Sequence, residues 1–343
     1  MEIAAIILAA GQGARLKSAL PKPLHRIGGR PMLAWSLDSA IAANASHIIS
    51  VLPRQSEQIK DWLDGRDFCI QDKPLGTGHA VQAAASALAD FDGVALIMFA
   101  DTPLVTANTL TRLASSIDAK TSIAVMGFET ADPHGYGRLV TDSNGHLTRI
   151  VEDKDASEDE QRICYVNGGI MAVRCPLLFE LLKQVQPNDQ TGEIYLTDII
   201  ALANQNGHKV SYQITDEDEI AGVNDRADLA HLEAMLQRRL RQAAMHHGAT
   251  LIAPDTVFLS ADTIIGRDLI IEPHVVIGPK TNIGEGSVIK SFSHIEGTTI
   301  GACCVIGPYA RLRPGTNAGD GVKIGNFVET KNQSLGLGAR PTI

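Results

Sequence analysis

The chain has 343 residues, 44% of them hydrophobic, so it is too long for one ordinary core and too apolar to be disordered. A net charge of −9 without long basic runs excludes nucleic acid as an expected partner. Cys69, Cys164, Cys175, Cys303 and Cys304 show no Cys-x-x-Cys spacing and read as reduced thiols. No signal peptide precedes the first strand and no apolar run reaches membrane-spanning length, so a soluble cytoplasmic protein with no membrane partner is expected.

Ile6-Ile7-Leu8-Ala9-Ala10 reads as a buried parallel strand, because neither face alternates with polar residues. It breaks into Gly11-Gln12-Gly13-Ala14-Arg15-Leu16, with Leu20-Pro21-Lys22-Pro23 beyond. Glycines let backbone come close to a ligand, and successive N–H groups can wrap polyphosphate oxygens while Arg15 and Lys22 add charge. For Gly-x-Gly alone an ordinary strand-to-helix turn is the simpler reading; the two cations shift the balance to phosphate. A Walker loop needs Gly-Lys-Ser/Thr, and a dinucleotide loop needs a small residue where Leu16 stands.

A helix from Met32 to about Ala43, a strand His47 to Leu52, a helix Gln55 to Leu63 and a strand Phe68 to Gln71 follow. This alternation predicts a parallel α/β sheet whose ligands lie beyond the strands' carboxyl ends. Gln71 and the turn Gly76-Thr77-Gly78 sit on that rim. A side-chain amide there matches a pyrimidine edge as well as it suits a capping loop. The apolar strand Val94 to Ala100 ends on Asp101, a carboxylate that is costly at a buried tip unless partnered, so metal is favoured over a helix cap.

Asp225 to about His247 predicts one helix with Leu229, Leu232, Leu236, Leu240 and Ala243 as its apolar stripe and Arg238, Arg239 and Arg241 as a solvated face. Gly248 ends it. From Leu259 aliphatic residues recur every six positions through Ile295, then, after a one-residue deletion, from Ile300 through Ile306, Leu312, Ala318 and Ile324 to Thr330. Hexads of this kind predict a parallel β-helix with three hexads per coil and about four coils.

The opening pattern Leu-Ala-Ala-Gly-x-Gly-x-Arg-Leu followed by Pro-Lys resembles the signature of the sugar-1-phosphate nucleotidyltransferases, and Gln71 through Ala80 resembles the motif of their uridine-specific members. The resemblance implies a Rossmann-like, mostly parallel α/β nucleotidyltransferase fold, followed by a helical arm and a short left-handed parallel β-helix. The implied boundaries are 1–225, 226–248 and 249–343. It also implies catalysis by Arg15 and Lys22, and nucleotide binding by Leu8, Ala9, Ala10, Gly11, Gly13, Gln71, Gly76 and Thr77. Mg²⁺ would be held by Asp101 and Asn224. Gly137, Glu152, Asn167, Tyr195 and Thr197 would hold the sugar. Ala100 replaces a family glycine, and Asn167-Gly168-Gly169 replaces the usual Asn-Thr-Gly.

The chain is similar in particular to the family's bifunctional members, which couple uridylyl transfer to an acetyl transfer on the β-helix. The expected reaction is transfer of UMP from UTP to N-acetylglucosamine 1-phosphate, giving UDP-N-acetylglucosamine and pyrophosphate. Another base or sugar specificity, or a non-catalytic truncated paralogue, are the alternatives. Arg313 and Lys331 match the phosphate cations of the acetyltransferase site. The family's later His-x-x-Tyr motif and acetyl-CoA coils are missing before Ile343, so a truncated chain without acetyl transfer is expected. A homotrimer through the β-helix is also implied.

Overall fold

The computed structural model describes residues 1–341; Thr342 and Ile343, the end of the stretch expected to form the β-helix, lie outside the described residues. The chain divides into two compact units, one of Met1–His25 and Pro31–Leu229, the other of Arg26–Arg30 and the residues from Ala230 on.

The first unit is a twisted sheet with Ile3–Leu8 at its centre, hydrogen-bonded in parallel to Ala45–Pro53 on one side and Val94–Phe99 on the other. Phe68–Gln71 extends it in parallel beyond Ala45–Pro53. On the other flank Tyr165–Arg174 runs antiparallel between Val94–Phe99 and Thr121–Glu129, and Lys209–Ile214 closes that edge. Both faces of the sheet are covered. Ala4, Ile6 and Leu8 pack with Val81, Ala84, Leu181 and Ile200, while Ala5, Ile7 and Ala9 pack with Leu33, Leu37, Leu110 and Leu113. Two-sided burial is why the first strand carries no polar alternation. The four parallel strands end on one edge, and the loops after them build the site.

The predicted elements of this unit form with boundaries close to expectation: helices span Met32–Ala42 and Glu57–Leu63, and the helix after Gly76 spans Thr77–Gln82. Among the described residues Asp101 caps no helix. The next helix, Ala107–Ser115, is capped by Thr106, whose hydroxyl accepts from the Thr109 N–H.

The long helix spans Arg226–His246, and Gly248 follows it at φ 104°. Asp225 Oδ1 accepts from the N–H groups of Ala227 and Asp228, and Asp228 Oδ2 accepts from those of Asn224 and Asp225. Two expectations about its faces fail. Ala243 is exposed and Ala244 buried. Arg241, expected on a solvated face, is buried: its Nη2 pairs with Asp255 Oδ1 at 3.0 Å and its Nη1 donates to the Val257 carbonyl. Gln237 is buried beside it, accepting from the Leu259 N–H at 2.8 Å and donating to the Leu259 carbonyl at 2.7 Å. The cause is the first coil of the β-helix, whose strand edge has no preceding coil to pair with. Side chains from the helix satisfy that backbone instead.

The second unit holds three stacked parallel sheets, each of five short strands among the described residues. Successive coils align Ile271 with Ile289 and Ile306, and Ile277 with Ile295 and Leu312. The one-residue deletion is absorbed where Ile283 pairs Ile300. All thirteen predicted anchors point inward, and Leu251 and Leu335 extend the column at either end. At most coil corners the backbone turns through positive φ. Two of the three corner columns are rich in glycine, while the third carries His274, Phe292, Tyr309 and Phe327 at φ between 54° and 61°. Their rings stack one on the next with centroids 4.9, 4.9 and 5.2 Å apart.

Arg26–Arg30 belongs to this unit although it lies far upstream. The Gly28 N–H donates to Glu233 Oε2 at 2.7 Å, and the Gly28 carbonyl accepts from the Ala261 N–H and the Ser260 hydroxyl. Gly29 has φ 79°, and a Cβ there would strike Ser260 Oγ at 2.7 Å, so only glycine fits.

Candidate active site

The strand Ile3–Leu8 runs into a cavity of about 280 Å³ lined by Leu8, Ala9, Ala10, Gly11, Lys22, Gln71, Gly76, Thr77 and Asp101, nine of the residues expected in the site. A second lobe shares Ala9–Gln12, Lys22 and Gln71 and continues between Ser18–Pro21 and Pro53–Gln55. The loop carries the Lys22 stem close against Gly13, where φ is 61° and a Cβ would meet the Lys22 Cβ at 2.7 Å. Beneath it, Arg226 Nε donates to the Leu16 carbonyl at 3.1 Å. His25 is buried next to Arg226, and burial first, then that guanidinium, lower its pKa. Neither support was anticipated.

Charge is concentrated in two pairs. Lys22 Nζ binds Asp101 Oδ2, both side chains being largely buried. Arg15 Nη2 donates to Asn224 Oδ1 at 2.9 Å across 209 residues of sequence. The Val223 N–H donates to the Asp101 carbonyl at 2.9 Å, which tethers the Asn224 segment to the end of the Val94–Phe99 strand. The helix cap is Asp225, so Asn224 keeps its side chain for the site. A carboxylate and an amide oxygen brought to one loop edge are donors that suit a hard cation, and Mg²⁺ takes few protein ligands beside phosphate and water. The residues fit that ion.

Gln71 is 7% exposed, and its Nε2 donates to the Gly76 carbonyl at 3.0 Å. That leaves Oε1 as a fixed acceptor. Gly76, at φ 93°, and Gly78 lie against the Ile194 backbone, where a Cβ would come within 2.6 and 2.8 Å of Ile194 atoms. Thr77 does more structural work than its expected role suggests: its hydroxyl accepts from the Leu196 N–H at 3.0 Å.

The expected sugar residues interlock. The Gly137 carbonyl accepts from the Asn167 N–H at 2.7 Å, and Thr197 Oγ1 donates to Glu152 Oε1 at 3.2 Å. Tyr195 OH accepts from Lys154 Nζ at 2.6 Å. Burial pushes the Glu152 carboxyl above its ordinary pKa, offset in part by the Thr197 bond. Glu193 also lines the cavity, as does Phe99, which was not anticipated, since nothing in its residue type marks it. Arg313 and Lys331 belong to the second unit, where Arg313 Nη1 pairs with Glu329 Oε1 at 3.0 Å. Among the described residues no helix is long and apolar enough to cross a membrane.

Residues 5–160 match the MobA-like NTP transferase domain. Among solved structures, the first unit's fold is shared with a UDP-glucose pyrophosphorylase complexed with UDP-glucose, at a TM-score of 0.58 and 17% identity over 70% of this chain and 100% of that one. The bifunctional protein GlmU of Hyphomonas neptunium is 45% identical over 301 residues, 87% of this chain and 65% of its own length. That of Zymomonas mobilis is 44% identical over 302 residues, 86% of this chain and 67% of its own. The chain thus spans about two thirds of the length of these relatives. A nucleotidyltransferase sheet with its glycine-rich loop, a long helix and hexad coils, matched at this identity through all three, place the chain in the family of the bifunctional protein GlmU.

Proposed function

We propose that this chain transfers UMP from UTP to N-acetylglucosamine 1-phosphate, forming UDP-N-acetylglucosamine and releasing pyrophosphate. The observation that carries the reading is the Lys22–Asp101 pair in the cavity that Gln71 also lines, with the Arg15–Asn224 pair tethered to it through the Val223 N–H and the Asp101 carbonyl. Each pair sets a cation against an oxygen donor. With triphosphate bound, Lys22 and Arg15 would turn to phosphate oxygens, and Asp101 and Asn224 are the residues that would hold Mg²⁺. When bound, the ion screens the charge between nucleotide and sugar phosphate.

The sugar phosphate is already ionised near neutrality, so its attack on the α-phosphorus needs no strong base. This chain's residues act by positioning and by neutralising charge: the loop amides and Arg15 hold the departing pyrophosphate, and Lys22 holds the α-phosphate. Because the Gln71 Nε2 is committed to Gly76, its Oε1 can only accept, which suits the N3–H of uracil and not the bare N3 of cytosine. Glu152, Asn167 and the Gly137 backbone take the sugar.

We assign this chemistry to residues 1–225 and assembly to the β-helix. The outward column Ile270, Val288 and Val305 offers an aliphatic ladder that a trimer would bury. A coupled pyrophosphate-release assay with UTP, N-acetylglucosamine 1-phosphate and Mg²⁺, run beside dTTP, CTP and GTP, tests the reading. Release with UTP alone supports it; equal release with CTP refutes the role of Gln71.

A further inference from the structure

Arg138 is 2% exposed, the largest of the side chains buried to that degree. Its Nη2 donates to Asp153 Oδ1 at 2.7 Å and its Nη1 to the Tyr136 carbonyl, while Nε is buried with no partner among the described residues. Asp153 is a node. Besides Arg138 it accepts from the Gly135 backbone N–H, and its Oδ2 lies 3.0 Å from His134 Nδ1; these contacts, the Gly135 bond first, hold its carboxyl below the ordinary pKa. A guanidinium buried with one nitrogen unsatisfied is a poor way to hold two strands together, because a well-packed apolar pair does so at less cost.

The placement explains it. Arg138 follows Gly137, and Asp153 follows Glu152, while Arg138 and Val151 face each other in the antiparallel pair Arg138–Thr141 with Leu147–Val151. The ion pair therefore sets the spacing between the Gly137 backbone and the Glu152 carboxylate. Three consecutive side chains grip two separate segments: Glu152 and Lys154 hold Thr197 and Tyr195 of one loop, and Asp153 between them holds Arg138. Asp153 is the middle of that grip and does not itself line the cavity around the phosphate loop.

We propose that Arg138 and Asp153 are positioning residues that fix the width of the sugar subsite and so set which sugar 1-phosphate is accepted. The proposal rests on the function given above and deepens it. Asp153→Asn keeps the shape and one acceptor oxygen but leaves Arg138 without its countercharge. The double variant Arg138→Met/Asp153→Leu removes both charges, a replacement that buried pairs generally tolerate without loss of fold.

Steady-state kinetics and titration calorimetry of both variants, with N-acetylglucosamine 1-phosphate, glucose 1-phosphate and UTP, provide the test. The expected result in the double variant is near-native thermal stability, an unchanged KM for UTP, and a KM for N-acetylglucosamine 1-phosphate raised roughly tenfold or more, with narrowed preference over glucose 1-phosphate. A folded double variant with wild-type sugar KM, or one in which the two KM values rise together, overturns the proposal. Absence of turnover in the wild type would sink the function instead. Calorimetric affinities for the two sugar phosphates, compared between wild type and variant, still decide the positioning role.

Discussion

Phe292 offers a substitution in which the usual order of glycine and alanine should invert. It sits at φ 61°, between the rings of His274 and Tyr309 at 4.9 Å on either side. Each stacked pair is worth about 0.5–1.5 kcal/mol beyond burial, so deleting the ring forfeits roughly 1–3 kcal/mol. Phe292→Ala loses that and keeps the left-handed backbone, which costs a non-glycine residue about 1–2 kcal/mol. Phe292→Gly loses the same stacking but relieves the strain, against about 0.4–1 kcal/mol of extra unfolded-state entropy. The glycine variant is therefore expected to be the more stable by about 0.5–1 kcal/mol. Urea denaturation followed by circular dichroism, with amide exchange at Val288–Ile289 and Val305–Ile306, measures the difference. An alanine variant as stable as the glycine variant or more so would refute the view that this corner holds a non-glycine backbone under strain.

Lys22→Ala and Asp101→Ala are each expected to lower kcat about 10²–10³-fold with little change in thermal stability, read from pyrophosphate release. Chelation of divalent ions should abolish turnover, and Mg²⁺ should restore it in the same assay. Glu152 has a folded-state pKa above its ordinary value of 4.5, so its contribution to stability is complete below that value and is lost as pH rises through the folded one. Glu152→Gln should thus be at least as stable as the wild type at neutral pH, with a higher KM for the sugar phosphate; melting curves from acid to neutral pH check the first half. Gln237→Leu orphans the Leu259 N–H and carbonyl, at about 1–3 kcal/mol for each group left without a partner, measurable by thermal denaturation.

The features legible in the sequence were those whose chemistry is local. The glycine-rich loop with its two cations, the apolar first strand and the six-residue period each announce themselves within a short window, because φ, charge and burial there are set by neighbours in sequence. Pairings between distant segments left no such mark. Arg15 meets Asn224 across 209 residues, and only the resemblance put those two in one site. Arg241 reads as a surface residue, since a polar side chain on a helix gives no hint that a strand edge awaits it. Phe99 lines the cavity through where its strand ends, not through its residue type. The antiparallel insertion of Tyr165–Arg174 follows from topology alone.

The early excursion Arg26–Arg30 has a consequence for dissecting the molecule. A fragment ending at Leu229 keeps this excursion but lacks Glu233, Ser260 and Ala261, which hold the Gly28 backbone. A fragment starting at Ala230 keeps those three and has nothing for them to hold. No single cut separates the two units cleanly, and on the ribosome residues 26–30 wait some two hundred positions for their partners to be made.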